Sequence, residues 1–164
     1  SIQWAINDNW DLALAAGWLD TEAFGLQAVC GGAPDADGLP DGNPDGCEGN
    51  KLHWAPDFMG SMVLKLDFPI NKGRIVGNLE AFWESERGGG YEALPWAELG
   101  SFMEFNARVG YESDGNWSVT GYVENLTDEL NYAGAQVNSG VTPDWLVGPN
   151  RPRTFGVRFG YYFD

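Results

Sequence analysis

Side chains along most of this chain switch between apolar and polar with a period of two. Only an extended strand with a different environment on each face satisfies that period. In the stretch from Trp10, the residues Trp10, Leu12, Leu14, Ala16 and Trp18 share one face, and Asp11, Ala13, Ala15 and Gly17 the other. Phe58, Met62, Leu64, Leu66 and Phe68 likewise oppose Ser61, Lys65 and Asp67. Leu79, Ala81 and Trp83 oppose Asn78, Glu80 and Glu84; Met103, Phe105, Ala107, Val109 and Tyr111 oppose Glu104, Asn106 and Arg108. The last stretch sets Phe155, Val157, Phe159, Tyr161 and Phe163 against Thr154, Gly156, Arg158 and Gly160.

Seven strands are expected: Ser1–Ile6, Trp10–Phe24, Phe58–Ile70, Ile75–Glu86, Glu98–Glu112, Trp117–Asn125 and Arg151–Phe163. Their connections alternate in length. Asn7-Asp8-Asn9, Asn71-Lys72-Gly73 and Ser113-Asp114-Gly115-Asn116 are tight-turn signals. Residues 25–57, 87–97 and 126–150 form the long loops. No segment of useful length carries a helical period. The pattern predicts an all-β antiparallel sheet with one wet face.

Two architectures alternate in this way, a soluble sandwich and a membrane barrel. No run of residues approaches the ~18 apolar residues of a spanning helix, and mean hydropathy is -0.30. Barrel strands, however, carry a much weaker signal per segment. The aromatics separate the two readings. With all short turns on one side, Trp10, Phe68, Tyr111, Trp117, Tyr161 and Phe163 fall near the turns, and Trp18, Phe58 and Trp83 near the long loops. Trp10 to Trp18 spans about 26 Å at ~3.3 Å per residue. Tilted by ~40°, that is about 20 Å, close to the ~25 Å apolar band between aromatic girdles. The charges Lys65, Asp67, Glu80, Glu84, Glu104, Arg108, Glu124 and Arg158 all point the other way. They would be costly in a dry core and are at ease lining a wet lumen. The reading is an antiparallel transmembrane β-barrel, with a soluble calcium-binding β-sandwich adhesin as the alternative. Dependence on detergent would discriminate them.

The chain has 24 acidic and 9 basic residues, for a net charge of -15. That balance argues against a nucleic-acid partner, because phosphate binding needs clustered Lys and Arg. The two cysteines, Cys30 and Cys47, lie in one Gly/Pro/Asp-rich stretch. They suit a loop disulfide made in an oxidising compartment. No second ligand pair stands at metal spacing. In the same loop Asp41, Asn43 and Asp45 match the first half of a calcium-loop pattern. The closing Glu is missing, its position being Leu52, and Pro44 interrupts the run. A solvated, disulfide-pinned loop without a cofactor is therefore the reading kept, with Ca2+ at residues 35–46 as the alternative. Trp54, Trp96, Tyr132 and Trp145 lie in or beside long loops, where aromatics hold ligands or cap a rim. His53 is the one histidine. No nucleophile–His–acid set, phosphate loop or zinc spacing occurs, so no enzyme is expected.

Three segments resemble the TonB-dependent receptors, the energised outer-membrane transporters of Gram-negative bacteria. Gly49-Asn50-Lys51-Leu52-His53-Trp54-Ala55-Pro56 resembles their entry motif before a strand. Glu124-Asn125-Leu126-Thr127-Asp128-Glu129 resembles the motif closing their penultimate strand. Arg151 to Phe163 resembles their terminal strand, whose aromatic assembly signal would fall on Tyr161 and Phe163. The family usually ends on the aromatic, whereas Asp164 follows Phe163 here. The resemblance implies the C-terminal seven strands of a larger barrel of about 22 strands around a plug. It implies import of a scarce nutrient: a ferric siderophore, haem, cobalamin or a glycan. The implied partners are outer-membrane lipid and lipopolysaccharide, TonB, and a plug with the remaining strands, on the same or a companion chain. A non-transporting outer-membrane structural or binding component is the rival within the same fold.

Overall fold

In the computed structural model, which describes residues 1–24, 49–52, 54–88, 98–138 and 144–163, the strands follow the expected order. They are β1 (Ile2–Asn7), β2 (Trp10–Trp18), β3 (Phe58–Ile70), β4 (Gly73–Glu84), β5 (Phe102–Ser113), β6 (Trp117–Glu124), β7 (Tyr132–Asn138), β8 (Asp144–Pro149) and β9 (Thr154–Tyr161). Seven of them form one sheet in the order β1-β2-β3-β4-β5-β6-β9, each pair antiparallel.

Tight turns fix the register. Lys72 (φ 68°) and Asn116 (φ 64°) adopt the left-handed conformation at the β3–β4 and β5–β6 turns. That conformation gives a hairpin turn the twist of its strands. Tyr111 Oη donates to the Lys72 carbonyl at 2.7 Å, tying the first turn to β5. In the first turn Asn7 Oδ1 accepts from the amides of Asn9 and Trp10 at 2.9 and 3.1 Å.

Register carries the alternation across the whole sheet. Leu14 stands opposite Met62, Met62 opposite Ala81 and Ala81 opposite Phe105. Val109 stands opposite Gly121, which stands opposite Val157. One face of the seven strands is consequently apolar from edge to edge, with no Asp, Glu, Lys, Arg or His on it. The large residues on it are open to the surroundings: Trp18 is 83 % exposed, Phe155 81 % and Val157 75 %. Among the described residues the buried apolar side chains are Ala23, Pro56, Ala81 and Leu99. Stability in the sheet comes from ladders and same-face packing, as where Trp83 lies over Gly60. A Cβ at Gly60 would come within 2.3 Å of that indole.

Two expectations are corrected. The soluble β-sandwich alternative fails, because a sandwich buries a core between two packed sheets. Here neither face of the seven-stranded sheet is covered among the described residues. The 126–150 loop, expected to lack strands, contains the hairpin β7–β8, in which Val137 stands opposite Trp145. Its strands are short and its sequence mixes Gly, Asn and apolar residues, so the period-2 signal is faint there.

Three strand ends shift by three residues or more, and several others by one or two. β2 stops at Trp18 rather than Phe24, and the residues after it continue alongside the segment that leads into β3 through single bonds such as Leu19 N to Asp57 O, 2.9 Å. β5 begins at Phe102 rather than Glu98. β9 begins at Thr154 rather than Arg151, after Pro152, which has no N–H to give a ladder.

Candidate functional site: the polar face and its loop-end clips

The face opposite the apolar one gathers the ionisable side chains into rows. At the short-turn end Arg74 bridges two acids, Asp67 at 3.1 Å and Glu112 at 2.7 Å. The next rows toward the loops hold Thr120 opposite Arg158, then Asp11 opposite Lys65, Lys65 opposite Asn78, Asn78 opposite Arg108 and Arg108 opposite Tyr122. Nearer the loops the face turns acidic with Glu80, Glu104, Glu84 and Glu124. Asn78 and Asn106 donate to Glu80 and Glu104, the latter at 3.1 Å. Glu84 is paired to Arg87.

A cleft of about 330 Å³ opens on this face between β5, β6 and β9. Arg108, Thr120, Tyr122 and Arg158 line it, with Glu124, Arg151 and Thr154 at its loop end. Arg151 and Glu124 stand 3.8 Å apart. Higher on the same face, Phe82 and Phe102 pack with ring centroids 5.6 Å apart, an apolar pair beside Glu84 and Glu104. Sequence reasoning passed over this pair. Its signal was present, since both positions break the polar half of an alternating strand.

The three motifs singled out in the sequence lie at or start from the loop ends of strands, where several of their groups form clips. The strongest is centred on Asn125, which is 2 % exposed. Its Nδ2 donates to the carbonyls of Glu129 and Arg151, both at 3.0 Å, and its Oδ1 accepts from Glu129 N at 3.0 Å. Its own amide donates to Asn106 Oδ1 at 2.9 Å. Asn125 (φ 50°) and Asp128 (φ 57°) both take the left-handed conformation, which Asn and Asp tolerate better than bulkier residues. Asp128 Oδ1 accepts from Arg153 N at 3.0 Å, and the Arg153 guanidinium lies 3.7 Å from Asp128 Oδ2. The motifs ending β6 and opening β9 are thus halves of one clip. Asn150 extends it to the base of the β7–β8 hairpin, accepting from Asn131 N at 3.0 Å and donating to Glu129 O at 3.1 Å.

The entry motif clips the other long connection. Gly49 N donates to Ala23 O at 2.9 Å, Ala23 N to Asn50 O at 2.8 Å, and Leu52 N to Thr21 Oγ1 at 3.2 Å. Lys51 donates to Asp57. That bond and the neighbouring carboxylates push the Lys51 amine above its ordinary value. Trp54 follows in the left-handed conformation (φ 63°), unusual for a bulky side chain, and is half-buried.

Of the candidate ligand-contact aromatics, Trp54 thus stands at the base of the first long connection. Tyr132 is half-buried at the start of β7, opposite Pro149. Trp145 lies in β8. Trp96, Cys30, Cys47, His53 and the calcium-loop residues Asp41, Asn43 and Asp45 lie outside the described residues. At the turn end of the apolar face, Tyr161 pairs with Trp117 in register and its ring meets Phe163 edge-on at 4.9 Å. Trp117 in turn contacts Tyr111 at 5.2 Å and stacks on Phe159 at 6.4 Å.

A single antiparallel sheet with an unbroken apolar face and a charged opposite face is the wall of a transmembrane β-barrel. Comparison with solved structures makes this specific. The ferric yersiniabactin uptake receptor of Yersinia pestis superposes with a TM-score of 0.73 at 14 % identity, over 98 % of this chain and 22 % of the receptor. The ferric preacinetobactin receptor of Acinetobacter baumannii gives 0.67 at 15 % identity, over 97 % and 20 %. A siderophore receptor of the same species gives 0.68 at 12 % identity, over 98 % and 20 %. The chain spans about a fifth of the length of these receptors. Its fold is that of a segment of a siderophore-receptor barrel, as the resemblance to TonB-dependent receptors led one to expect. No family model matches the sequence, and neither does any curated protein.

Proposed function

We propose that this chain forms part of the barrel wall of a TonB-dependent transporter in the bacterial outer membrane, which binds and imports a scarce nutrient. The observation that carries the reading is the apolar face, free of acidic and basic side chains across seven strands, backed by a face crowded with them. Water on the first face would be opposed by the hydrophobic effect over every strand, whereas lipid tails satisfy it. The aromatic contacts at its turn end then sit at headgroup depth on the periplasmic side, where Tyr161 and Phe163 act as the assembly signal. The long connections, 25–57, 87–97 and 126–150, face outward beside lipopolysaccharide. Trp54, Trp96, Tyr132 and Trp145 are the candidate ligand contacts among them, and Cys30–Cys47 the disulfide. A plug, the remaining strands and TonB complete the machine.

Siderophore receptors share the fold, so a ferric siderophore heads the substrates to test, ahead of haem, cobalamin and glycans. The experiment deletes the gene for the native polypeptide and feeds each nutrient in turn under limitation, with and without TonB. Growth on one nutrient that needs both proteins supports the reading. A polypeptide that fractionates with the outer membrane while no nutrient depends on it favours the structural rival. Fractionation with the soluble proteins overturns both.

A further inference from the structure

Five of the nine cations in this chain of net charge -15 are ion-paired among the described residues, and Lys65, Lys72, Arg108 and Arg158 are not. Lys51, Arg74, Arg87 and Arg153 each have a carboxylate partner within ion-pair distance. Arg108 and Arg158 have none among the described residues, yet both line the same cleft on the polar face. They lie two strands apart and two residues apart along the strands, a backbone separation of roughly 12 Å at the usual spacings. Between them runs β6, presenting Thr120 opposite Arg158 and Tyr122 opposite Arg108.

Two glycines shape the gap. A Cβ at Gly156 would come within 2.6 Å of Tyr122 Oη, so the phenol lies flat across β9. A Cβ at Gly110 would come within 2.6 Å of Thr120 Oγ1, so the threonine leans the other way, over β5. The two side chains of β6 part, and hydroxyl groups flank a space with a guanidinium on each side. Glu124, the acid at the loop end, is engaged by Arg151.

Guanidinium groups held facing one cleft repel each other, and an oxyanion between them replaces that repulsion with two charge-assisted forks. Hydroxyl donors add to the same oxygens. We propose that the cleft bounded by Arg108, Thr120, Tyr122 and Arg158 is a binding site for the carboxylate group of a small solute. The volume, about 330 Å³, admits a small solute carrying such a group. The site stands on its own geometry; its service to uptake, as a station on the lumen wall, rests on the transport reading above.

The test titrates citrate, and separately inorganic phosphate, into the full native polypeptide in detergent micelles and follows heat. Saturable citrate binding is expected, weakening as salt rises. Arg108→Gln and Arg158→Gln should each weaken it roughly ten-fold or more, and the double variant should abolish it. Lys72→Gln, at the β3–β4 turn, should leave it unchanged. Equal affinity in native and double variant overturns the proposal, as does the absence of citrate binding at millimolar concentration. Phosphate bound as tightly as citrate, with the same dependence on both arginines, overturns the preference for carboxylate. If no solute binds and the double variant unfolds more readily, an acidic side chain of the protein fills the cleft and the proposal fails. Nutrient uptake is scored separately: citrate binding without any TonB-dependent uptake keeps the site and sinks the transport reading.

Discussion

Asn125 closes a buried junction in which each of its polar groups has a partner. Replacing it with Ala strands the carbonyls of Glu129 and Arg151 and loses a residue suited to the left-handed conformation. At about 1–3 kcal/mol per stranded group, Asn125→Ala should cost about 2–4 kcal/mol. Asn125→Asp keeps the size but loses both donors and should be nearly as damaging. Urea unfolding of the full polypeptide in micelles measures both, and a native-like midpoint for Asn125→Asp would remove the clip from the account. Lys51 supports a smaller prediction. Its amine is raised by Asp57, so the pair contributes fully below the ordinary lysine value of about 10.4 and is lost as pH rises through the raised value. Proteolytic nicking near residues 49–57 should therefore increase at alkaline pH, and Lys51→Met should be nicked as readily at neutral pH. Both side chains are solvent-exposed, so the effect is local and global stability should not follow it. The motif containing Asn125 was visible in the sequence, but its work was not. Nothing in a run of adjacent letters says that an amide will reach Arg151, and two motifs far apart in the chain become one object only when β6 and β9 lie side by side.

Strands were legible because alternation is a local consequence of backbone geometry. In β4 the odd positions Ile75, Gly77, Leu79, Ala81 and Trp83 lie on the apolar face, and the even positions Arg74, Asn78, Glu80 and Glu84 on the polar one. The two faces should therefore respond oppositely to the same substitution. Leu79→Arg places a charge at mid-strand on the apolar face and should cost about 2–4 kcal/mol if lipid covers it. Glu80→Arg, one residue away on the polar face between Val63 and Asn106, should fall within about 1 kcal/mol of native. Heat-modifiable migration and outer-membrane yield report the difference, and equal tolerance at both positions would refute a lipid-covered face. The β7–β8 hairpin was illegible for the converse reason. Short strands pinned at their base by Asn131 and Asn150 need no strong alternation, because the clip supplies order that the local pattern lacks.

At the scale of the whole molecule the sheet has two edge strands, β1 and β9, that pair on one side each and do not meet. An open edge leaves a row of N–H and C=O groups unpaired, which hydrocarbon does not tolerate. Residues 1–164 expressed alone should therefore fail to give a monodisperse, heat-modifiable species in micelles, whereas the native polypeptide containing them should give one. Size-exclusion chromatography in detergent decides it, and a well-formed monomer of the isolated segment would show that the edges close by themselves. By itself the sequence determined the seven strands of the sheet, their faces, the alternation of short and long connections and the sorting of aromatics. These depend on residues within a few positions of one another. Only the tertiary structure decided that Arg108 and Arg158 share a cleft while neither is ion-paired among the described residues, that Gly156 and Gly110 shape it, and that distant motifs lock into one clip. Those facts depend on which strands are neighbours and in what register, and pairing between strands is set by the sheet as a whole.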